Sequence, residues 1–126
     1  MRLYHFCADR HIKSIMLHGI TRGGVTEPTA TGYIFHDGYK WLTNDCDPRS
    51  QSWATRQRIP YSRTAWRLTI EIPDEFCDRV HDRASLVKLW PSTAALFDGW
   101  PGSENWRVYR GMIPKEWIVK VEKMRE

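Results

Sequence analysis

Leu3-Tyr4-His5-Phe6-Cys7 decides the fold, together with Tyr39-Lys40-Trp41-Leu42-Thr43-Asn44-Asp45 further along the chain. In the first stretch Leu3, His5 and Cys7 alternate with Tyr4 and Phe6, which predicts a strand over 2–7 covered in part on both faces. A histidine then shares a face with two apolar side chains. Directly after it, Asp9 is suited to cap a helix with Ile12, Ile15 and Met16 on one side, and Gly19 is suited to end that helix in the left-handed conformation.

Working outward, residues 21–38 combine Gly23, Gly24, Gly32 and Gly38 with Pro28 and several threonines, a composition that predicts a long loop pinned by Tyr33, Ile34 and Phe35. Tyr39 to Thr43 is aromatic and branched and predicts a second strand. The turn chemistry of Asn44-Asp45 and Asp47-Pro48 then leads into a helix over 49–55. The clearest strand is 65–72, where Trp66, Leu68, Ile70 and Ile72 alternate with Ala65, Arg67, Thr69 and Glu71 until Pro73 stops it. Weaker helical stretches follow at 82–89 and 93–98, then strands at 106–110 and 117–122. This order predicts one α+β domain over residues 1–126 rather than a doubly wound sheet.

At 126 residues the chain is long enough for one core and one site. A formal net charge of +4 favours anionic partners, such as a dinucleotide, a nucleic acid or an acidic protein surface. Cys7, Cys46 and Cys77 form no CxxC pair and leave an odd thiol, so neither a disulfide framework nor a zinc site is expected. The five histidines lack HExxH spacing, which predicts no metal. No apolar run approaches the roughly 20 residues that span a bilayer, and the start lacks a secretory pattern, so the expectation is a cytoplasmic protein without membrane partners. The absence of GxGxxG argues against a Rossmann dinucleotide site.

Tyr4-His5-Phe6, the helix ending His18-Gly19-Ile20 and the strand Trp41-Leu42-Thr43 resemble the opening of ADP-ribosyltransferase-like proteins. Similar openings occur in DNA-modifying ADP-ribosyltransferase toxins and in RNA 2'-phosphotransferases. The tail Ser103-Glu104-Asn105-Trp106-Arg107-Val108-Tyr109, followed by Ile113-Pro114-Lys115-Glu116-Trp117-Ile118, resembles that fold's final segment. The resemblance implies a split mixed or antiparallel sheet with short flanking helices around an NAD cleft, NAD being the substrate. It also implies transfer of ADP-ribose to a macromolecular acceptor. By position it gives His5 and Thr43 the nicotinamide-ribose pocket, Glu104 the catalytic carboxylate, and Tyr33, Tyr39, Trp41 or Trp53 the stacking role. No Ser-Thr-Ser strand and no ExE or QxE pair accompanies these residues.

Breaking the nicotinamide glycosidic bond passes through an oxocarbenium-like state, which calls for an anion near the developing charge and polar groups on the ribose. Glu104 after the Pro101-Gly102 turn can supply the anion or stand as a surface glutamate. His5 can serve as a site residue or as a satisfied core histidine. A helix would put Arg49, Ser52, Trp53 and Arg56 on one face, where they can grip a pyrophosphate or form a solvated surface. Arg63 and Arg67 extend the same basic region.

Two further readings compete. One is an RNA 2'-phosphotransferase-like enzyme in which arginines hold a phosphate and NAD accepts it. The other is a non-catalytic binding or inhibitor protein, since seven Trp and five Tyr suit an interface as well as a core.

Overall fold

Leu68 and Ile70 are wholly buried at the centre of the molecule, as the strict alternation around them requires. The computed structural model describes residues 1–55 and 61–124. Along the chain run β1 (Arg2–Cys7), α1 (Asp9–His18), β2 (Gly24–Thr29), β3 (Gly32–Asp37), β4 (Tyr39–Thr43), α2 (Ser52–Thr55), β5 (Trp66–Glu71), β6 (Val80–His81), α3 (Arg83–Leu89), α4 (Pro91–Leu96), β7 (Trp106–Arg110) and β8 (Ile118–Lys123). Short 3-10 turns lie at Pro48–Ser50, Asp74–Arg79, Ser103–Asn105 and Lys115–Trp117. The result is α+β.

Six strands form one sheet in the order β6-β7-β4-β1-β5-β8, and β2 and β3 form a separate hairpin. Every pairing is antiparallel, so the mixed alternative does not hold. One face of the sheet buries Leu3, Cys7, Leu42, Leu68, Ile70 and Tyr109 against Ile15 of α1 and the bridged pair Ile20 and Ile113. Burial pushes the Cys7 thiol up to about 11, which makes it a packing group. Over β4 and β7 the other face carries Val108 and Trp41 under Val25, Leu86 and Trp90 of the hairpin and α3–α4 layer. Leu68→Ala is expected to cost about 3 kcal/mol in urea unfolding, because the central strand cannot close over the missing volume.

The sheet is split near its middle. β1 pairs with β5 over six residues but with β4 at only one position, Tyr4 opposite Thr43. Beyond that pair the two strands part, and this gap positions the site.

Three sequence expectations change. The loop expected over 21–38 is the β2–β3 hairpin, six paired residues long. Its own pattern is too polar to signal a strand. It is held instead by tertiary bonds: Thr93 Oγ1 to Thr26 O and Ser92 Oγ to Pro28 O at 3.0 Å each, and Trp41 Nε1 to Gly24 O at 3.1 Å. The helix expected over 49–55 breaks at Gln51, whose backbone leaves the helical region at φ −92°, ψ 70°. Asp9 does not cap α1; Ala8 precedes the helix, and the Asp9 carboxylate accepts from Trp66 Nε1 at 2.7 Å. Gly19 does end α1, with a positive φ of 78°. Among the described residues no helix is long and apolar enough to cross a membrane.

Candidate functional site

A cavity of about 290 Å³ opens where β1 and β4 part. Tyr4, His5 and Phe6 line one side, and Lys40 to Thr43 the other. His5 spans the gap, with Nδ1 3.0 Å from the Trp41 carbonyl oxygen. A carbonyl can only accept, so Nδ1 carries the hydrogen. Burial lowers the His5 pKa, opposed by the bond to Trp41 and reinforced by the charges of His11 and Lys40. The ring is therefore neutral at pH 7, and Nε2 is an acceptor for a hydroxyl or amide of a ligand.

The far wall is aromatic. Trp41, Phe97 and Trp106 meet edge to face with centroids 5.2 to 6.2 Å apart. Trp106 Nε1 is buried and has no hydrogen-bond partner among the described residues. An aromatic wall of this kind suits a flat ring.

Thr43 shapes the remaining side through a ladder of turns. Its Oγ1 accepts from Asp45 N at 3.1 Å, Asp45 Oδ1 from Asp47 N at 2.9 Å, and Asp47 Oδ1 from Arg49 N at 2.9 Å. The ladder delivers Gln51, 2% exposed, whose Oε1 accepts from Trp53 Nε1 at 3.2 Å. Ser52 Oγ ties the same segment to Pro101 O at 2.8 Å, opposite Trp106.

A wider cavity of about 680 Å³ adjoins the first, and His5, Phe6, Arg22, Gly23 and Trp53 line both. It adds two guanidinium–ring pairs. Arg10 lies 3.7 Å from the Tyr61 ring centroid and Arg63 5.7 Å from that of Trp53. Neither cavity is lined by an Asp or Glu among the described residues. Lys40, Arg10, Arg22 and Arg63 make no ion pair there either, whereas Arg2, Arg49, Arg67, Arg83 and Lys120 do. The cleft is therefore positive and open to an anion.

Of the residues singled out from sequence, His5, Thr43, Trp41 and Trp53 meet in the first cavity and Arg63 in the second. Tyr33 does not join them, being 73% exposed on the hairpin. Arg49 points into solvent and folds back on Asp47, because the helix break removes the face that would have aimed it. Tyr39 packs edge-on against Trp90, behind the site. Glu104 is exposed on the Ser103–Asn105 turn, outside both linings. Arg56 falls outside the described residues. Arg22, Lys40, Gln51, Phe97 and Trp106 were not anticipated; a lysine within the apolar run Tyr39–Thr43 was the one usable signal. Among the described residues no three His, Cys, Asp or Glu side chains gather as a metal site. Set against family models, curated proteins and solved structures, the chain matches none.

Proposed function

We propose that the cleft binds NAD and that the protein is an ADP-ribosyltransferase. The observation that carries this reading is His5, neutral and fixed to the Trp41 carbonyl in the gap between parted strands, beside an aromatic wall and cations that make no ion pair among the described residues. It agrees with the roles that the resemblance gives His5 and Thr43. The nicotinamide ring lies against Trp41, Phe97 and Trp106, and His5 Nε2 accepts from a ribose hydroxyl. The adenosine half extends into the wider cavity beside Arg10 and Arg63. The bond between C1' and the nicotinamide nitrogen breaks with its electron pair leaving on nicotinamide. An acceptor nucleophile then bonds to C1' and gives up its proton. The resemblance assigns the anion to Glu104, which stands on an exposed turn outside both linings, joined to the end of β4 by Asn44 N to Asn105 O at 3.1 Å; that role rests on the resemblance and not on the geometry of the cleft. The free thiols of Cys7, Cys46 and Cys77 suit a cytoplasmic setting.

The test is nicotinamide release from NAD, with cell lysate supplying acceptors. Glu104→Gln tests the carboxylate that the resemblance implies: a loss of about 100-fold with little change in KM would bring Glu104 into the reaction. Loss in His5→Ala with unchanged release in Glu104→Gln would remove Glu104 from the mechanism. One observation favours a second reading, a binding protein without turnover: Tyr33, Ile34 and Phe35 form a run 49 to 73% exposed on the hairpin. That reading predicts no nicotinamide release at all.

A further inference from the structure

Lys40 is an unusual residue for the interior of an apolar strand. It sits in the middle of β4, 2% exposed, and makes no ion pair among the described residues; its Nζ is not one of the buried unpartnered atoms, so the stem is covered while the ammonium meets the cavity. Its neighbours across the cavity are Arg22, Gly23 and His5, none of them acidic. Asp37, exposed at the end of β3, is too distant for an ion pair; burial lowers the lysine's pKa, and Asp37 opposes that more weakly. A partly desolvated cation with no carboxylate beside it costs some stability, and a methionine would fill the same space without that cost. Such a residue is explained when a ligand brings the missing charge.

Gly23 shows that the spot is built. The φ of +132° and the Tyr39 carbonyl oxygen, 3.0 Å from an added Cβ, favour glycine here, and the backbone runs beside the lysine stem at ordinary contact distance, 3.6 Å from that Cβ to Lys40 Cδ. That same backbone carries Arg22 to the lip of the cavity. Two cations thus converge from different elements on a space lined by no carboxylate among the described residues.

We propose that Lys40 and Arg22 form an anion site that holds the diphosphate of a dinucleotide inside the cleft. Arg22, Gly23 and His5 line both cavities, so the site lies at their junction. A ligand with phosphates between two ring systems fits this order: one ring on the aromatic wall, the phosphates at the junction, the other ring beside Arg10 and Arg63. The identity of the rings rests on the NAD reading; the anion site does not.

Inorganic pyrophosphate is the probe, titrated calorimetrically into wild type, Lys40→Met and Lys40→Arg, with melting curves recorded for each. Wild type is expected to bind and to melt higher with pyrophosphate. Lys40→Met is expected to melt higher than wild type without ligand, yet to bind pyrophosphate about tenfold or more weakly. Lys40→Arg should keep most of the affinity. If Lys40→Met does not fold, Lys40→Gln carries the same test. Wild type that does not bind, a variant lacking the cation that binds as wild type does, or lower melting in both neutral variants overturns the proposal. Nicotinamide release separates this from the transferase reading. Pyrophosphate binding that depends on Lys40, with no release by wild type, leaves the anion site and removes the transferase. Release by Lys40→Met at an unchanged KM does the reverse.

Discussion

His5→Ala is expected to reduce nicotinamide release from NAD by about 100-fold or more while leaving the protein folded. The substitution removes the bond from Nδ1 to the Trp41 carbonyl, worth about 1 kcal/mol, in a chain whose core lies mainly on other residues. It also removes the Nε2 acceptor, which the proposed mechanism uses. Melting curves verify the fold, and initial rates measure the loss.

The same residue predicts a pH dependence. In the unfolded chain His5 titrates near 6.5, and burial lowers that value in the folded state. From about 6.5 downward the unfolded state therefore binds more protons, and stability falls with falling pH until the folded value is passed. Above 6.5 both states are neutral and this contribution is complete. Urea unfolding across pH 5 to 8 should show a steeper acid-side loss in wild type than in His5→Ala. Equal slopes would mean that the folded imidazole is not held neutral.

Gly102→Ala is expected to be strongly destabilising. Gly102 has φ +86°, and an added Cβ would collide with the Ser50 carbonyl oxygen, a backbone atom that cannot swing away. The expected cost is about 3 kcal/mol. The consequence reaches the site, because this contact seats the Ser50–Trp53 side of the cavity against the Pro101–Trp106 side. NAD affinity should fall with stability. Gly99→Ala is the control: its φ is +78°, but nothing lies within 4 Å of an added Cβ. Urea unfolding of the two variants separates collision from backbone strain, and equal losses would show that the Ser50 contact is unimportant.

What sequence reasoning reached was governed by how local each signal is. β1, β4 and β5 were legible because alternation within six or so residues defines a strand whatever lies beyond it. The hairpin was not. Val25 is its one fully buried apolar side chain, and its remaining support comes from Trp41, Ser92 and Thr93, distant in sequence. Helical spacing from Arg49 to Arg56 misled in the same way, because the Asp45 and Asp47 side chains compete with the helix for backbone N–H groups. In the site, His5 and Thr43 stood out from their strands. Phe97 and Trp106 did not, since an aromatic residue in a cavity wall looks like one in a core until the fold places the gap beside it. Lys40 was not singled out, since a lysine in an apolar strand gains meaning only from its place on the cavity wall without a carboxylate beside it.

The most direct measurement is titration of NAD against tryptophan fluorescence, since Trp41, Trp53 and Trp106 all line the first cavity. The account predicts a saturable change in wild type that inorganic pyrophosphate competes away and that His5→Ala weakens. No saturable change at millimolar NAD, in protein that melts cooperatively, would contradict it.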